Sequence, residues 1–176
     1  MRRSSAHLGN RMQDKIEQKE KYILVAVATG DEQAAWDSLE ELEELLETAG
    51  AEASSMLVQN LEHPDRATYI GSGKVLEVKE MLAQQDAVGI VCDDELSPSQ
   101  VRNLSDRLES KVLDRTLLIL DIFAAHAKTK EGKIQVEIAQ LKYRSSRLRG
   151  WGEALSRLGG GIGTRGPGEP KLETAR

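Results

Sequence analysis

The apolar run from Tyr22 to Ala28, which ends at Thr29-Gly30, constrains the fold more than any other feature of this sequence. The run is far too short to cross a membrane, and it shows no alternation of polar and apolar residues. Such runs are typical of strands that are covered on both faces, as in parallel sheets flanked by helices. We therefore predict a first, central parallel strand at this position.

The segments that follow alternate between helical and strand patterns. Residues 31–49 space their apolar side chains as a helix does and stop at Gly50, while Ser97, Pro98 and Gln100 form the start signal of a later helix. Further helices are predicted at 75–85, 97–108 and 117–127, and further strands at 51–60, 88–92 and 112–113. The pattern predicts an open parallel α/β sheet of about four strands between residues 20 and 115.

One long helix is predicted after Thr129, and it differs from the earlier helices in charge. Its apolar positions alternate in spacings of four and three, which is the pattern of a helix that packs along a partner helix. That seam comprises Ile134, Ile138, Leu141, Ser145 and Leu148. The basic residues on its other sides are Lys133, Lys142, Arg144, Arg147 and Arg149.

Charge is divided unevenly along the chain. The net charge of -5 argues against a nucleic-acid partner when taken alone. Residues 1–110 hold 11 basic and 22 acidic residues (net -11), whereas residues 111–176 hold 13 basic and 7 acidic residues (net +6). The distribution therefore favours a polyanionic partner for the last third of the chain.

Cellular location and cysteine chemistry follow from simple counts. No apolar stretch approaches the roughly 18 residues of a membrane span, and the basic start of the chain has no apolar run behind it. We therefore expect a cytoplasmic protein. Cys92 is the single cysteine and lies in an apolar run, so we expect a buried, reduced thiol and not a catalytic one.

The segment from residue 150 onward is rich in glycine, with six glycines between residues 159 and 168. Glycines leave backbone N–H groups accessible to phosphates, and Arg157, Arg165 and Lys171 add positive charge. The residues by themselves fit either a flexible linker or an RNA-contacting loop. Tyr143 and Trp151 fit either stacking on bases or packing against the helix.

Two short motifs lie where a nucleotide could bind. The sequence Gly71-Ser72-Gly73-Lys74 resembles the end of a P-loop, but Thr68 and Val75 depart from the full pattern. It fits a tight turn before a helix, or a site for an anion or nucleotide phosphate. Asp93-Asp94-Glu95 follows a predicted strand, where it could hold Mg²⁺ or a ribose hydroxyl, or simply favour the start of a helix.

Other polar residues give weaker signals. Asp114-Arg115-Thr116 also follows a strand, and it fits either a functional role or a helix cap in which Arg115 pairs with a carboxylate. His63 and His126 are too far apart in the sequence to suggest a metal cluster or an acid–base pair, and no hydrolytic triad is recognisable.

Five blocks in the right order resemble the HflX family. They are residues 69–74 (Tyr-Ile-Gly-Ser-Gly-Lys), residues 93–100 (Asp-Asp-Glu-Leu-Ser-Pro-Ser-Gln), Asp114-Arg115-Thr116 with 119–123, Glu131-Gly132-Lys133 through Tyr143, and 155–169 with Leu172-Glu173. The resemblance implies an α/β N-terminal domain, a long antiparallel helical hairpin and a Ras-like G domain. It divides this chain into a flexible segment (1–20), an α/β domain (21–128) and a hairpin subdomain with a glycine-rich loop and a truncated second helix (129–176).

The resemblance also implies a function. The glycine-rich loop is expected to reach the peptidyl-transferase region of the large ribosomal subunit, where the family helps to split or rescue stalled ribosomes under stress. The residues then expected to bind RNA are Lys142, Arg144, Arg147, Arg149, Arg157, Gly160, Gly161, Gly163, Arg165, Gly166 and Gly168. Possible ATP binding in this family draws attention to Gly71, Gly73, Lys74, Asp93 and Asp94.

The sequence departs from the whole family protein in one respect, because it has no GxxxxGK[ST] motif and no second hairpin helix. We therefore expect no GTP hydrolysis and no cofactor in this chain, with GTP and Mg²⁺ belonging to the G domain of the full-length protein. One alternative is an ATP-binding or ATP-hydrolysing domain that acts on RNA. Another is a regulatory clamp on the G domain, with self-association through the unpaired seam in its absence.

Overall fold

A four-stranded parallel sheet with five helices forms the part of the chain that the computed structural model describes, residues 18–148. The elements in chain order are β1 (Lys21–Ala28), α1 (Glu32–Thr48), β2 (Glu52–Asn60), α2 (Ser72–Gln85), β3 (Gly89–Cys92), α3 (Pro98–Leu108), β4 (Lys111–Asp114), α4 (Arg115–His126) and α5 (Lys130–Leu148). The predicted α/β class and strand number are confirmed.

The sheet has the strand order β2-β1-β3-β4, and all three neighbouring pairs are parallel. β1 lies between β2 and β3, as its continuous apolar sequence predicted. Its residues from Tyr22 to Val25 are completely buried because helices cover both faces of the sheet.

Each face of the sheet has its own apolar core. On one face Ile23 and Val25 of β1 pack with residues of α2 and α3. On the other face Tyr22 and Leu24 pack with residues of α1 and α4. Cys92 lies in the first core, is completely buried and is unpaired, as expected. Burial raises the pKa of its thiol well above the usual value.

Local signals account for where several elements begin and end. The Ser97 hydroxyl accepts a hydrogen bond from Gln100 N, and the Gln100 side chain accepts one from Ser97 N, which forms the predicted capping box of α3. Gly50 has a φ of +90° directly after α1, a conformation that favours glycine. At Gly89 a Cβ would lie 2.2 Å from the Lys111 carbonyl oxygen, so only glycine allows β3 to approach β4 this closely.

Three elements, α2, α4 and β4, extend beyond their predicted bounds. α2 begins at Ser72 and not at residue 75, because Gly71 already serves as its N-cap. α4 begins at Arg115 and not at residue 117, because the Asp114 side chain caps it. The last strand also extends over Lys111–Asp114, beyond the predicted residues 112–113.

α5 packs against α3 and α4, and a short connection of residues 127–129 separates it from α4. Its seam residues Ile134, Ile138 and Leu141 are 46%, 45% and 58% exposed, so no described element covers them. None of the described helices combines the length and apolar character that crossing a bilayer requires.

Candidate functional site

The candidate site lies at the edge of the sheet where the strands end. The carboxyl ends of parallel strands meet at one edge, and this is where open α/β sheets bind ligands. Asp93 directly follows β3, and Asp114 is the last residue of β4, its neighbour in the sheet. The C-terminal half of α5 lies against the same edge through Tyr143 and Arg147.

Asp114 connects three elements from a buried position. Its Oδ1 accepts a hydrogen bond from Leu117 N of α4 at 3.0 Å. Its Oδ2 accepts one from Leu96 N, also at 3.0 Å, and a short one from the Tyr143 hydroxyl of α5. The carboxylate is only 3% exposed, so these donors replace its hydration and fix α5 against the sheet.

Arg147 strengthens the same contact. Its Nη2 donates to the Leu96 carbonyl oxygen at 2.8 Å and to Glu95 Oε1 at 3.0 Å. The guanidinium carbon lies 3.5 Å from the centre of the Tyr143 ring, which is a cation–π contact. We call Asp114, Tyr143 and Arg147 the α5 anchor.

The Tyr143 phenol remains protonated in the anchor. Burial raises its pKa well above the usual value, and the hydrogen bond to Asp114 raises the pKa further. The hydroxyl therefore acts as a permanent donor to the carboxylate at physiological pH.

A second ion pair joins this edge to α1. Arg115 donates from Nη2 and Nε to Asp93 Oδ1 at 2.6 and 3.1 Å, as the pairing of Arg115 with a carboxylate predicted. The same guanidinium donates to the Ser38 carbonyl oxygen at 2.9 Å and lies 3.5 Å from Glu41 Oε2. Asp93 is thus occupied by an internal partner.

Asp94 is held by a tyrosine from the loop before α2. The Tyr69 hydroxyl donates to Asp94 Oδ2 at 2.5 Å and accepts from Val27 N at 3.2 Å. Tyr69 has a φ of +64°, a left-handed conformation that is uncommon for a tyrosine. Burial raises the pKa of this phenol well above its usual value, so it too stays protonated.

The contacts of Asp94 and Glu95 with other side chains were part of neither sequence interpretation, the ligand site or the favourable helix start. Asp93, Asp94 and Glu95 precede the N-cap of α3 and bind side chains from α4, the loop before α2, and α5. Within residues 18–148 no group of three or more histidine, cysteine or acidic side chains is placed to hold a metal ion.

Gly71, Gly73 and Lys74 lie at the start of α2. Gly71 N donates to Gln59 Oε1 at 2.8 Å, and Lys74 Nζ forms an ion pair with Glu77 at 2.8 Å. A Cβ at Gly73 would meet open space. The motif forms the turn that feeds a helix, with no side chain capping the first turn.

The predicted RNA-binding residues differ in their surroundings. Lys142 is exposed. Arg144 lies 3.5 Å from Asp121, and Arg147 belongs to the anchor, so both guanidinium groups have partners within the chain. The residues outside the described part of the chain are Arg149, Arg157, Gly160, Gly161, Gly163, Arg165, Gly166 and Gly168.

Sequence reasoning missed the link between Asp114 and Tyr143. The two residues are 29 positions apart, and the prediction gave Asp114 either a functional role or a helix cap, without a contact to α5. A usable signal was the position of Tyr143 on the side of the helix opposite the apolar seam. That side also packs Tyr143 against the core, as the packing alternative proposed.

Comparison with known proteins gives consistent results. The profile described as "GTP-binding GTPase N-terminal" matches residues 36–124, and "GTP-binding GTPase Middle Region" matches residues 126–176. GTPase HflX of Lacrimispora saccharolytica is 62% identical over 90% of this chain, and GTPase HflX of Escherichia coli is 43% identical over 94%. The matches cover 37% and 38% of these relatives, so the chain spans less than half of their length.

A solved structure agrees with the sequence matches. The GTP-binding protein from Sulfolobus solfataricus in complex with GDP is 28% identical, with a TM-score of 0.59. The similarity covers 75% of this chain and 39% of that protein. The chain belongs to the HflX family of GTPases, whose N-terminal domain and middle region it contains.

Proposed function

We propose that this chain is a ribosome-binding part of an HflX-type GTPase and acts in the cytoplasm. In this proposal α5 and the glycine-rich segment contact RNA of the large ribosomal subunit and help to split or rescue stalled ribosomes under stress. The single observation that carries the proposal is the α5 anchor, which fixes a basic helix directly before the glycine-rich segment.

Charge and geometry support RNA as the ligand. α5 contains five basic and two acidic residues, whereas α1 contains seven acidic residues and no lysine or arginine. The anchor holds the C-terminal end of α5, which directly precedes residues 149–176 in the sequence, against the sheet. The proposed phosphate contacts are Lys142, Arg157 and Arg165 together with backbone N–H groups of the glycines.

Co-sedimentation with purified large ribosomal subunits tests the proposal. The wild-type chain should bind at low salt and more weakly at moderate salt, because phosphate contacts release counterions. Arg157→Ala/Arg165→Ala should weaken binding, and deletion of residues 157–170 should weaken it further. Lys74→Ala/Lys79→Ala, which removes two positive charges from α2, is the control matched in charge and should leave binding unchanged.

Two results would oppose the proposal. Affinity that survives deletion of residues 157–170 would exclude a role for the glycine-rich segment. No co-sedimentation of the wild-type chain would favour the alternative of a regulatory clamp on the G domain of the full-length protein, where we place GTP and Mg²⁺.

ATP binding by the α/β domain is the second candidate. It rests on the start of α2, where the first turn has no side-chain cap and no acidic residue, and where Gly73 leaves space for a phosphate. The existing contacts of Lys74 and Asp93 would have to be exchanged for contacts with the nucleotide. Calorimetry with ATP-Mg²⁺ should then show binding that Lys74→Ala weakens, and no heat of binding would rule this candidate out.

A further inference from the structure

β2 is an edge strand whose outer side is unpaired within residues 18–148. Leu61 N, directly after the strand, donates to the Ala28 carbonyl oxygen at 3.0 Å. Backbone groups of a strand alternate between its two sides, so from Ser55 onward, where the register with β1 is regular, residues an odd number of positions before Leu61 turn their backbone groups outward. These residues are Met56, Val58 and Asn60. No hydrogen bond from another described residue reaches their backbone groups from that side.

Beyond the register irregularity between Ala53 and Ser55, this edge lacks the usual protection against strand addition. Proteins commonly block exposed edges with charged residues, proline or a very short strand. β2 has nine residues, and from Ala53 to Asn60 it contains neither a charged residue nor a proline. An edge of this kind can form a full set of main-chain hydrogen bonds with a further extended chain.

One flank of α1 lies over β2 and is acidic. Asn60 Nδ2 donates to Glu32 Oε2 at 2.9 Å, which places this flank above the strand. Successive helix residues are about 100° apart, so Trp36, Glu43 and Glu47 share the flank with Glu32. The opposite flank of α1 faces α4, as the contact of Glu41 with Arg115 shows.

We propose that the β2 edge binds an extended peptide that has basic side chains at alternate positions. The peptide adds a fifth strand through main-chain hydrogen bonds to Met56, Val58 and Asn60. Alternate side chains of a strand point to the same face, so lysines or arginines at every second position reach Glu43 and Glu47. Trp36 offers an aromatic surface to their charged ends.

A second copy of the chain fits the same edge poorly. Two antiparallel β2 strands would be related by a two-fold axis perpendicular to the sheet, which brings both α1 helices to the same face. Each α1 carries seven acidic residues and no basic one. Like charges would therefore meet across the interface, whereas a basic peptide neutralises them.

A synthetic peptide of alternating lysine and valine, added to the full chain, tests the proposal, which is independent of RNA binding. Hydrogen exchange followed by NMR should show new protection of the backbone amides of Met56, Val58 and Asn60. Glu43→Gln/Glu47→Gln should weaken peptide binding about threefold to tenfold at low salt, because exposed ion pairs contribute modestly. Glu131→Gln/Glu137→Gln on α5 makes the same change in net charge and should leave the affinity unchanged.

A second peptide separates strand addition from simple charge attraction. The same sequence with N-methylated amides keeps every positive charge but cannot donate main-chain hydrogen bonds, so it should lose binding. Equal binding of both peptides would overturn the proposal, as would protection of amides elsewhere than in β2. Protection of the β2 amides at high protein concentration without peptide would identify a second copy as the occupant and would also overturn it.

Discussion

Asp114 shows how much one side chain can determine at the residue scale. It caps α4, holds the loop after β3 and anchors α5, all with a single buried carboxylate. In Asp114→Asn, an amide NH₂ group replaces one carboxylate oxygen. It would then face hydrogen-bond donors that the oxygen now accepts from. We expect a loss of about 2 to 3 kcal/mol in the free energy of unfolding, measured by urea denaturation.

Two further variants are expected to cost less than Asp114→Asn. Tyr143→Phe removes one hydrogen bond and keeps the ring under Arg147, so it should cost about 1 kcal/mol. Asp106→Asn, on the exposed side of α3, should cost less than about 0.5 kcal/mol. If Asp114→Asn were as stable as Asp106→Asn, the anchor would contribute nothing measurable.

Tyrosine ionisation provides a pH test at the same scale. All three tyrosines of the chain have pKa values raised above the usual range, chiefly by burial. In the unfolded chain they ionise near pH 10, so the unfolded state loses protons first and stability falls as pH rises above about 10. Phenolate absorbance should therefore appear together with unfolding, followed by circular dichroism. Gradual ionisation of the folded protein around pH 10 would contradict the burial of these phenols.

At the scale of elements, α3 depends on its N-terminal cap. Ser97 and Gln100 satisfy each other's backbone N–H groups, and Gln100 also donates to the Asp65 carbonyl oxygen at 2.7 Å. Ser97→Ala should lower the free energy of unfolding by about 1 kcal/mol, seen as a lower thermal midpoint. Ser99→Ala, two residues further on in the first turn of α3, should have a smaller effect because Ser99 accepts no hydrogen bond from the helix N–H groups in the capping box. Equal effects of both substitutions would show that the capping box is not what stabilises the helix.

For the whole molecule, we expect the seam on α5, which no residue within 18–148 covers, to govern behaviour in solution. Ile134, Ile138 and Leu141 form an exposed apolar stripe on the side of the helix that faces away from the sheet. We expect this chain to self-associate with increasing concentration, measured by light scattering, because burying the stripe removes apolar surface from water. Ile138→Lys/Leu141→Lys should reduce the association, and Leu76→Lys on α2 should not. A wild-type chain that stays monomeric at high concentration would refute this expectation.

Local sequence determined the elements and the class of fold. The apolar run at Tyr22–Ala28 identified the central strand because a strand buried on both faces needs apolar side chains at every position. The cap at Ser97 could be predicted for a similar reason. Ser97 and Gln100 are close in sequence, and they satisfy backbone N–H groups at the start of α3 without help from the rest of the fold. The seam of α5 was also readable, because helical spacing alone places Ile134, Ile138 and Leu141 on one face.

Only the tertiary structure decided how the strand-end residues are used. Asp93, Asp94 and Asp114 occur in short motifs, but their partners Arg115, Tyr69 and Tyr143 lie 22, 25 and 29 positions away. A carboxylate pairs with whichever donors the packing brings to it, and periodicity carries no information about such contacts. The sequence therefore indicated which polar residues follow the strands, whereas the folded edge of the sheet determined that Asp93, Asp94 and Asp114 bind other side chains of the chain.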